Sequence, residues 1–310
     1  MKKLTLVFTL LLVLVLGACS SGSNDSSKKE KEPVKSEENK TGTITYESEN
    51  GPVEVPADPK RVVVLSGFAG HVMALDVPIV GVDSWSKDNP RFQDTLKDAQ
   101  EVTDEDLEKI LELEPDLIIG YSTTNNLDRL KEIAPTVTYT YNKLDYLAQF
   151  EEIGKLLNQE QEAKDWVADF KDRAHKAGEE VKAKIGEDKT VSVIENFEKQ
   201  LYVFGDSWGR GTEILYQEMK LKMPEKVKAD TEKEGYFDLS AEVLPEYMGD
   251  YVILSKNGAA DNSFMETESF KNTEAAKNGH VFVANADEFY FNDPLSLDYQ
   301  LEFFKENFLK

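Results

Sequence analysis

The chain has 310 residues, with 59 Asp and Glu against 36 Lys and Arg, a formal charge of −23 and 40% hydrophobic residues. So acidic a chain has no basic surface for nucleic acid, whose recognition runs on Lys and Arg, and no broad electrostatic hold on anionic lipid. Its apolar content is that of a globular protein, and its single cysteine, Cys19, excludes an internal disulfide.

Lys2 and Lys3 precede an apolar run from Leu4 to Leu16, closed by Gly17-Ala18-Cys19. A basic start, a short hydrophobic segment and small residues before a cut site mark a secretory signal, and the run is short of the ~20 residues of a spanning helix. Leu16-Gly17-Ala18-Cys19 resembles the bacterial lipobox, in which the cysteine is acylated and becomes the new N-terminus. Residues 1–18 are therefore expected to be a signal peptide, and residues 19–42 a lipidated Cys19 with a disordered, polar tether.

From Thr43 the pattern turns globular. Thr43–Tyr46 and Val53–Val55 alternate around Asn50-Gly51, which predicts a hairpin. Arg61–Leu65, Ile79–Val82, Pro115–Gly120 and Thr136–Tyr139 read as short buried strands. Helical stretches stand between them, at Ser66–Leu75, after the cap-like Thr103-Asp104-Glu105-Asp106, and at Leu127–Ala134. Strand and helix alternate, which gives an α/β lobe over residues 43–158. From Tyr146 the period changes: one helix ends near Asn158, and a second, about Glu160 to Ile185, spans ~35–40 Å and can join two lobes. We place this connecting helix at 159–187 and a second α/β lobe at 188–310. That lobe carries strands at Thr190–Ile194, Leu201–Phe204, Asp250–Leu254 and Val281–Val283, and helices at Gly211–Met219 and Leu295–Leu309. Leu239-Ser240-Ala241-Glu242 reads as a helix cap and first turn. The halves echo each other weakly: Leu107-Glu108 leads to Pro115-Asp116-Leu117, and Ala241-Glu242 leads to Gly249-Asp250-Tyr251.

Pro59–Val64, Glu114–Ile119 and Ile133–Val137 resemble the N-lobe signatures of siderophore and cobalamin solute-binding proteins. Tyr202-Val203-Phe204-Gly205-Asp206-Ser207-Trp208-Gly209-Arg210-Gly211 and Phe289–Pro294 are similar to the Gram-positive lipoproteins that carry ferric hydroxamate siderophores to ABC importers. The resemblance implies a fold of two α/β lobes joined by a single long helix, with the ligand in the cleft between them and little lobe closure. It also implies a monomer anchored by lipid on the outer face of a Gram-positive cell membrane, with an ABC permease as partner. Tyr202, Trp208, Arg210 and Tyr290 match cleft contacts of that family. Glu108 and Glu242 match the glutamates, one per lobe, that meet arginines on the permease. Phe68 stands where relatives often carry Tyr, and Tyr290 where some carry Trp.

A siderophore brings its iron already wrapped, so no metal ligand and no cofactor is expected of the protein. The cleft needs aromatic surface and a donor or two for the oxygens around iron. Phe68 and Tyr121 follow strand ends and Trp85 lies in the Asp83–Ser86 loop, at the sheet edge where α/β proteins place ligands. Of the five arginines, Arg210 and Arg91 are expected to be free for the cleft. A tris-catecholate, with about three negative charges, favours a cluster of bases, whereas a near-neutral hydroxamate complex manages with one.

The same fold could instead hold a catecholate siderophore, haem or cobalamin. A secreted hydrolase is the other class, but Gly-x-Ser-x-Gly, a P-loop and His-Glu-x-x-His are all absent. His71, His175 and His280 are scattered over different elements, with no metal-binding grouping.

Overall fold

Each half of the chain folds its apolar runs into one five-stranded sheet covered by helices. The computed structural model describes residues 42–310; the signal, Cys19 and the tether up to residue 41 lie outside the described residues. Thr43–Ser48 (β1) and Gly51–Pro56 (β2) form the expected antiparallel hairpin.

The N-terminal lobe follows with Val62–Val64 (β3), Ala69–Met73 (α1), Ile79–Val82 (β4), Ser84–Asp88 (α2), Gln93–Leu96 (α3), Gln100–Glu101 (β5), Leu107–Glu112 (α4), Leu117–Tyr121 (β6), Leu127–Ile133 (α5) and Thr136–Tyr139 (β7). Its sheet runs β5-β4-β3-β6-β7 and is parallel throughout. The chain leaves β3 to β4 on one side and later returns to β6 on the other, so a crevice opens at the C-terminal ends of these strands. Tyr146–Leu156 (α6) and Glu160–Ile185 (α7) come next. The latter is 26 residues long and spans ~39 Å at about 1.5 Å per residue.

The C-terminal lobe holds Val191–Phe197 (β8), Gln200–Phe204 (β9), a π-helical turn at Glu213–Glu218, Glu225–Thr231 (α8), Tyr236–Leu239 (β10), Tyr251–Lys256 (β11), Glu268–Lys271 (α9), Glu274–Lys277 (α10), Val281–Asn285 (β12), Ala286–Phe289 (α11) and Pro294–Phe308 (α12). Its sheet order is β10-β9-β8-β11-β12. Strands β8, β11 and β12 are parallel, and β9 and β10 form an antiparallel arm.

The echo between the halves is structural. Asp116, before β6, accepts the Lys60 and Arg61 N–H groups at 2.6 and 3.0 Å and so pins the start of β3. Asp250, before β11, accepts the Thr190 N–H and Oγ1 at 2.9 and 3.0 Å and pins β8 in the same way.

One apolar core runs through both lobes. It takes Val62 and Val64 of β3, Phe150 of α6, Phe170 of α7, Val191 and Val193 of β8, and Phe304 of α12. Val63, pointing to the other face of β3, belongs to a separate N-lobe core, and Val203 and Val252 to a separate C-lobe core. Helix α12 packs on α1 as well as α7. A Cβ at Gly70 of α1 would sit 2.1 Å from the Asp293 carboxyl that caps α12. The described residues thus form one compact unit, and a wide hinge opening would split a packed interior.

Three local expectations change. Trp85 sits on a short helix, not in a loop, because Asp83 accepts from Ser86 N–H and Oγ at 3.0 and 2.7 Å and caps it. Leu239–Glu242 is a strand end and turn, not a helix start. Leu239 closes β10, and Pro245, which has no N–H to donate, permits only a 3-10 turn at Leu244–Glu246. The helix expected at Gly211–Met219 is a π-helical turn, with Met219 N–H on Ile214 C=O at 2.8 Å. Strand β10 and helix α8 carry no sequence signal strong enough to have been expected.

Candidate functional site

The ends of β3, β4 and β6 from one lobe, and the turns after β9 and α11 from the other, enclose a cleft of about 460 Å³. Trp85, Tyr121, Trp208, Arg210 and Tyr290, expected from sequence, all line it. Tyr141, Phe291 and Asn292 join them. Aromatic contacts cross the cleft. Trp85 packs edge-on to Tyr290 at 5.3 Å and stacks on Phe197 at 6.2 Å, and Tyr141 meets Tyr121 at 5.7 Å and Trp208 at 6.4 Å. Trp85 and Tyr141 are 53% and 56% exposed, so their ring faces are open to a ligand.

The C-lobe side rests on Gly209-Arg210-Gly211, three residues in the left-handed region with φ of +68°, +58° and +79°. Both glycines are required by space as well. A Cβ at Gly209 would lie 2.6 Å from Tyr290 C=O, and one at Gly211 2.4 Å from Phe304 Cζ. Arg210 N–H donates to Phe289 C=O at 2.7 Å, and Gly209 N–H to the buried Glu213 at 2.9 Å. This turn feeds directly into the π-helical turn, a distortion common at functional sites.

Arg210 is not free. Its Nε and Nη2 donate to the two carboxylate oxygens of Glu195 at 3.0 and 3.2 Å, and its Nη1 to Trp208 C=O at 3.2 Å. Glu195, on β8, is fully buried and also accepts from Ser255 Oγ at 2.5 Å. The guanidinium lies 4.7 Å from the Phe204 ring centre and 4.8 Å from that of Tyr290. Arg91 is also engaged, over the Tyr299 ring at 3.9 Å and 3.8 Å from Glu288, and lies outside the cleft lining.

Two expected contacts stand back from the cleft. Tyr202 shares a face of β9 with Phe204 but lies one row out. Its ring meets Tyr236 at 5.8 Å, and Tyr236 in turn meets Trp208 at 4.9 Å. Phe68 is buried behind Tyr121, 4.7 Å from it, and lines an adjoining hollow of about 390 Å³. Sequence reasoning missed Glu195, because a lone acid in a strand looks like any of the chain's many. It missed Tyr141 because no motif surrounds it, although Tyr141 lines the cleft and Glu195 holds Arg210.

The phenols stay protonated and can donate. Burial pushes Tyr121 up to about 12, and it also raises Tyr141 and Tyr290. Two buried titratable groups line the adjoining hollow. His71 has no hydrogen-bond partner on either ring nitrogen, and burial pushes it down to about 3. Glu213 is raised, chiefly by burial, despite its bonds to Gly209, Thr212 and Asn292.

Glu108 stands in the first turn of α4, and Glu242 in the turn after β10. Both are exposed, and each precedes the Asp-led strand of its lobe. Among the described residues no group of three or more His, Cys, Asp or Glu is placed to hold a metal ion, and no helix is long and apolar enough to cross a membrane.

A family model for periplasmic binding proteins matches residues 63–288. The iron(3+)-hydroxamate-binding protein FhuD of Bacillus subtilis (strain 168) is 37% identical over 98% of this chain and 96% of its own. Among solved structures, the FhuD protein from S. pseudintermedius is similar with a TM-score of 0.77 and 37% identity, over 87% of this chain and 99% of that one. FhuD2 from Staphylococcus aureus with bound ferrioxamine B has a TM-score of 0.77 and 36% identity, over 81% and 98%.

Proposed function

The chain belongs to the periplasmic binding protein family, and from that premise we propose that it captures an iron(III)–hydroxamate complex outside the cytoplasm and delivers it to an ABC permease. One observation carries the ligand class: an aromatic cleft between two lobes whose lining holds a single guanidinium and no lysine or histidine. Such a surface suits an amphipathic complex whose iron is already coordinated. Trp85, Tyr121, Tyr141, Trp208 and Tyr290 supply ring area, and Arg210 with the phenols supplies donors.

The N-terminal sequence supports a signal peptide over residues 1–18 and acylation of Cys19, which would tether a monomeric domain to the outer face of a Gram-positive cell membrane. Exposure of Glu108 and Glu242 supports their use as the permease-docking pair.

Titration of tryptophan emission with a ferric trihydroxamate, a ferric tris-catecholate and haem tests the ligand. Saturable quenching by the first is expected, and preferential binding of haem would replace the reading. Reversing Glu108 and Glu242 together to Arg should abolish cellular uptake and leave binding intact. Uptake that survives the double reversal removes them from docking.

A further inference from the structure

The basic group in the cleft wall has its own counter-charge built beneath it. Arg210 lines the cleft, yet two of its nitrogens are held by Glu195 in a two-pronged contact, at 3.0 and 3.2 Å. Glu195 is fully buried, touches no solvent, and has its second donor from Ser255. Its carboxylate is therefore satisfied entirely by the wall. A buried pair of this kind is costly to assemble and weakly stabilising compared with an apolar wall of equal volume, so its presence calls for a role other than stability.

The remaining charges near the ligand do not restore a positive field. Asp83 is the one acid in the cleft lining, and it is tied to Ser86. Lys143 lines the adjoining hollow, but its Nζ is 3.3 Å from Glu49. The guanidinium keeps one N–H on Nη1 and one on Nη2 without an acceptor in the wall. The site therefore offers hydrogen-bond donors with no net positive charge behind them.

We infer that Glu195 sets the charge class of the ligand: by cancelling Arg210 from inside the wall, it fits the cleft to an electrically neutral iron(III) complex and against anionic ones. This rests on the proposed siderophore reading and narrows it. Three singly charged hydroxamates neutralise iron(III), whereas a tris-catecholate leaves about three negative charges that an uncompensated arginine would attract. Glu195 is a positioning residue in this scheme, because it acts through Arg210 and through the potential it creates.

The test is a ratio measured on the full-length protein with a neutral ferric trihydroxamate and a trianionic ferric tris-catecholate. The unaltered protein should favour the neutral complex by about a hundredfold. Glu195→Gln should narrow that preference about tenfold, and the narrowing should fade between about 0.05 and 0.5 M salt. Replacing Arg210 as well (Glu195→Gln with Arg210→Gln) should return the ratio to that of the unaltered protein, at lower affinity for both. A Glu195→Gln protein that melts normally and keeps the original ratio overturns the inference, and so does a double variant that keeps the narrowed one. Should Glu195→Gln fail to fold, the unaltered protein still decides: binding the trianion as tightly as the neutral complex overturns the inference. Binding neither complex removes the siderophore reading itself, and with it this inference.

Discussion

The two walls of the cleft are held in different ways. On the N-lobe side Trp85 and Tyr141 are more than half exposed, and the structure records ring contacts but no side-chain hydrogen bonds for them. On the C-lobe side the turn carrying Trp208 and Arg210 is locked, through Trp208 N–H on Thr212 Oγ1 at 3.1 Å, Arg210 on Glu195, and Tyr290 bonded to Asn257 at 3.1 Å. The N-lobe sheet is parallel throughout and ends in loops, whereas the antiparallel arm of the C-lobe sheet brings β9 beside β8, so that Arg210 can reach Glu195 across the sheet. Orientation is thus supplied by one lobe and adaptable contact area by the other. A wall of open rings can follow ligands of different outline, and a wall of bonded donors cannot.

The largest difference is expected from glycine substitutions. Gly211→Ala would force a Cβ to 2.4 Å from the ring of Phe304, which is fully buried, at a residue with φ +79°. A loss of about 3 kcal/mol or more is expected, with loss of ligand binding. Gly67→Ala on the N-lobe side comes no nearer than 3.3 Å to any atom, that of Phe291 Cε1, with no positive φ, and should cost about 1 kcal/mol or less. Thermal melts of the two variants check this, and comparable losses would show that the C-lobe turn is no more tightly fixed than the opposite wall.

Beneath the two walls lie contrasting buried groups, and these give a pH signature. Glu213 under the C-lobe turn is hydrogen-bonded, whereas His71 under the N-lobe wall has no partner and is held down at about 3. Its ordinary value is about 6.5. Between these two values the unfolded chain binds a proton that the native state does not, so stability falls as pH drops below about 6.5. The loss is ~1.4 kcal/mol per pH unit, or roughly 2 kcal/mol by about pH 5. His71→Leu should remove this component, and denaturant melts at about pH 7.5 and pH 5 should show its stability falling by roughly that much less than that of the unaltered protein. Equal falls would mean that His71 gains a proton, or a partner, in the native state.

Much of this arrangement was legible in the sequence, for reasons that can be named. The long helix is legible through proline-free helix formers with Val167, Phe170 and Ala174 at helical spacing, and the span expected from them, about Glu160 to Ile185, is helical in the structure. Strands such as Leu117–Tyr121 were legible because buried parallel strands are continuous apolar runs. Trp208 and Arg210 were marked by flanking glycines whose positive φ values the structure requires. What depended on tertiary partners was not legible. Nothing local distinguishes Glu195 from the other acids of the chain, and its meaning lies in a contact fifteen residues away. Tyr202 carried the right motif, but strand periodicity set its ring one row out from the cleft. Leu239–Glu242 has the pattern of a helix cap, but Pro245 follows it and the chain makes a turn.

The smallest expected effects are the most direct measure of the contrast between the walls. Trp208 is half-buried, faces Tyr236 at 4.9 Å and lies over Gly235, so its ring has one position to offer a ligand. Trp208→Ala should weaken binding of a ferric trihydroxamate about tenfold or more, as loss of a fixed aromatic anchor does. Trp85 is more exposed and is backed only by ring contacts with Phe197 and Tyr290, with no hydrogen bond to fix its own position. Trp85→Ala should therefore weaken binding only about two- to threefold. Calorimetric titration of both variants with the same complex checks the pair. Losses of equal size would mean that contact area alone governs affinity, because the two side chains are chemically identical and differ only in how each wall holds them.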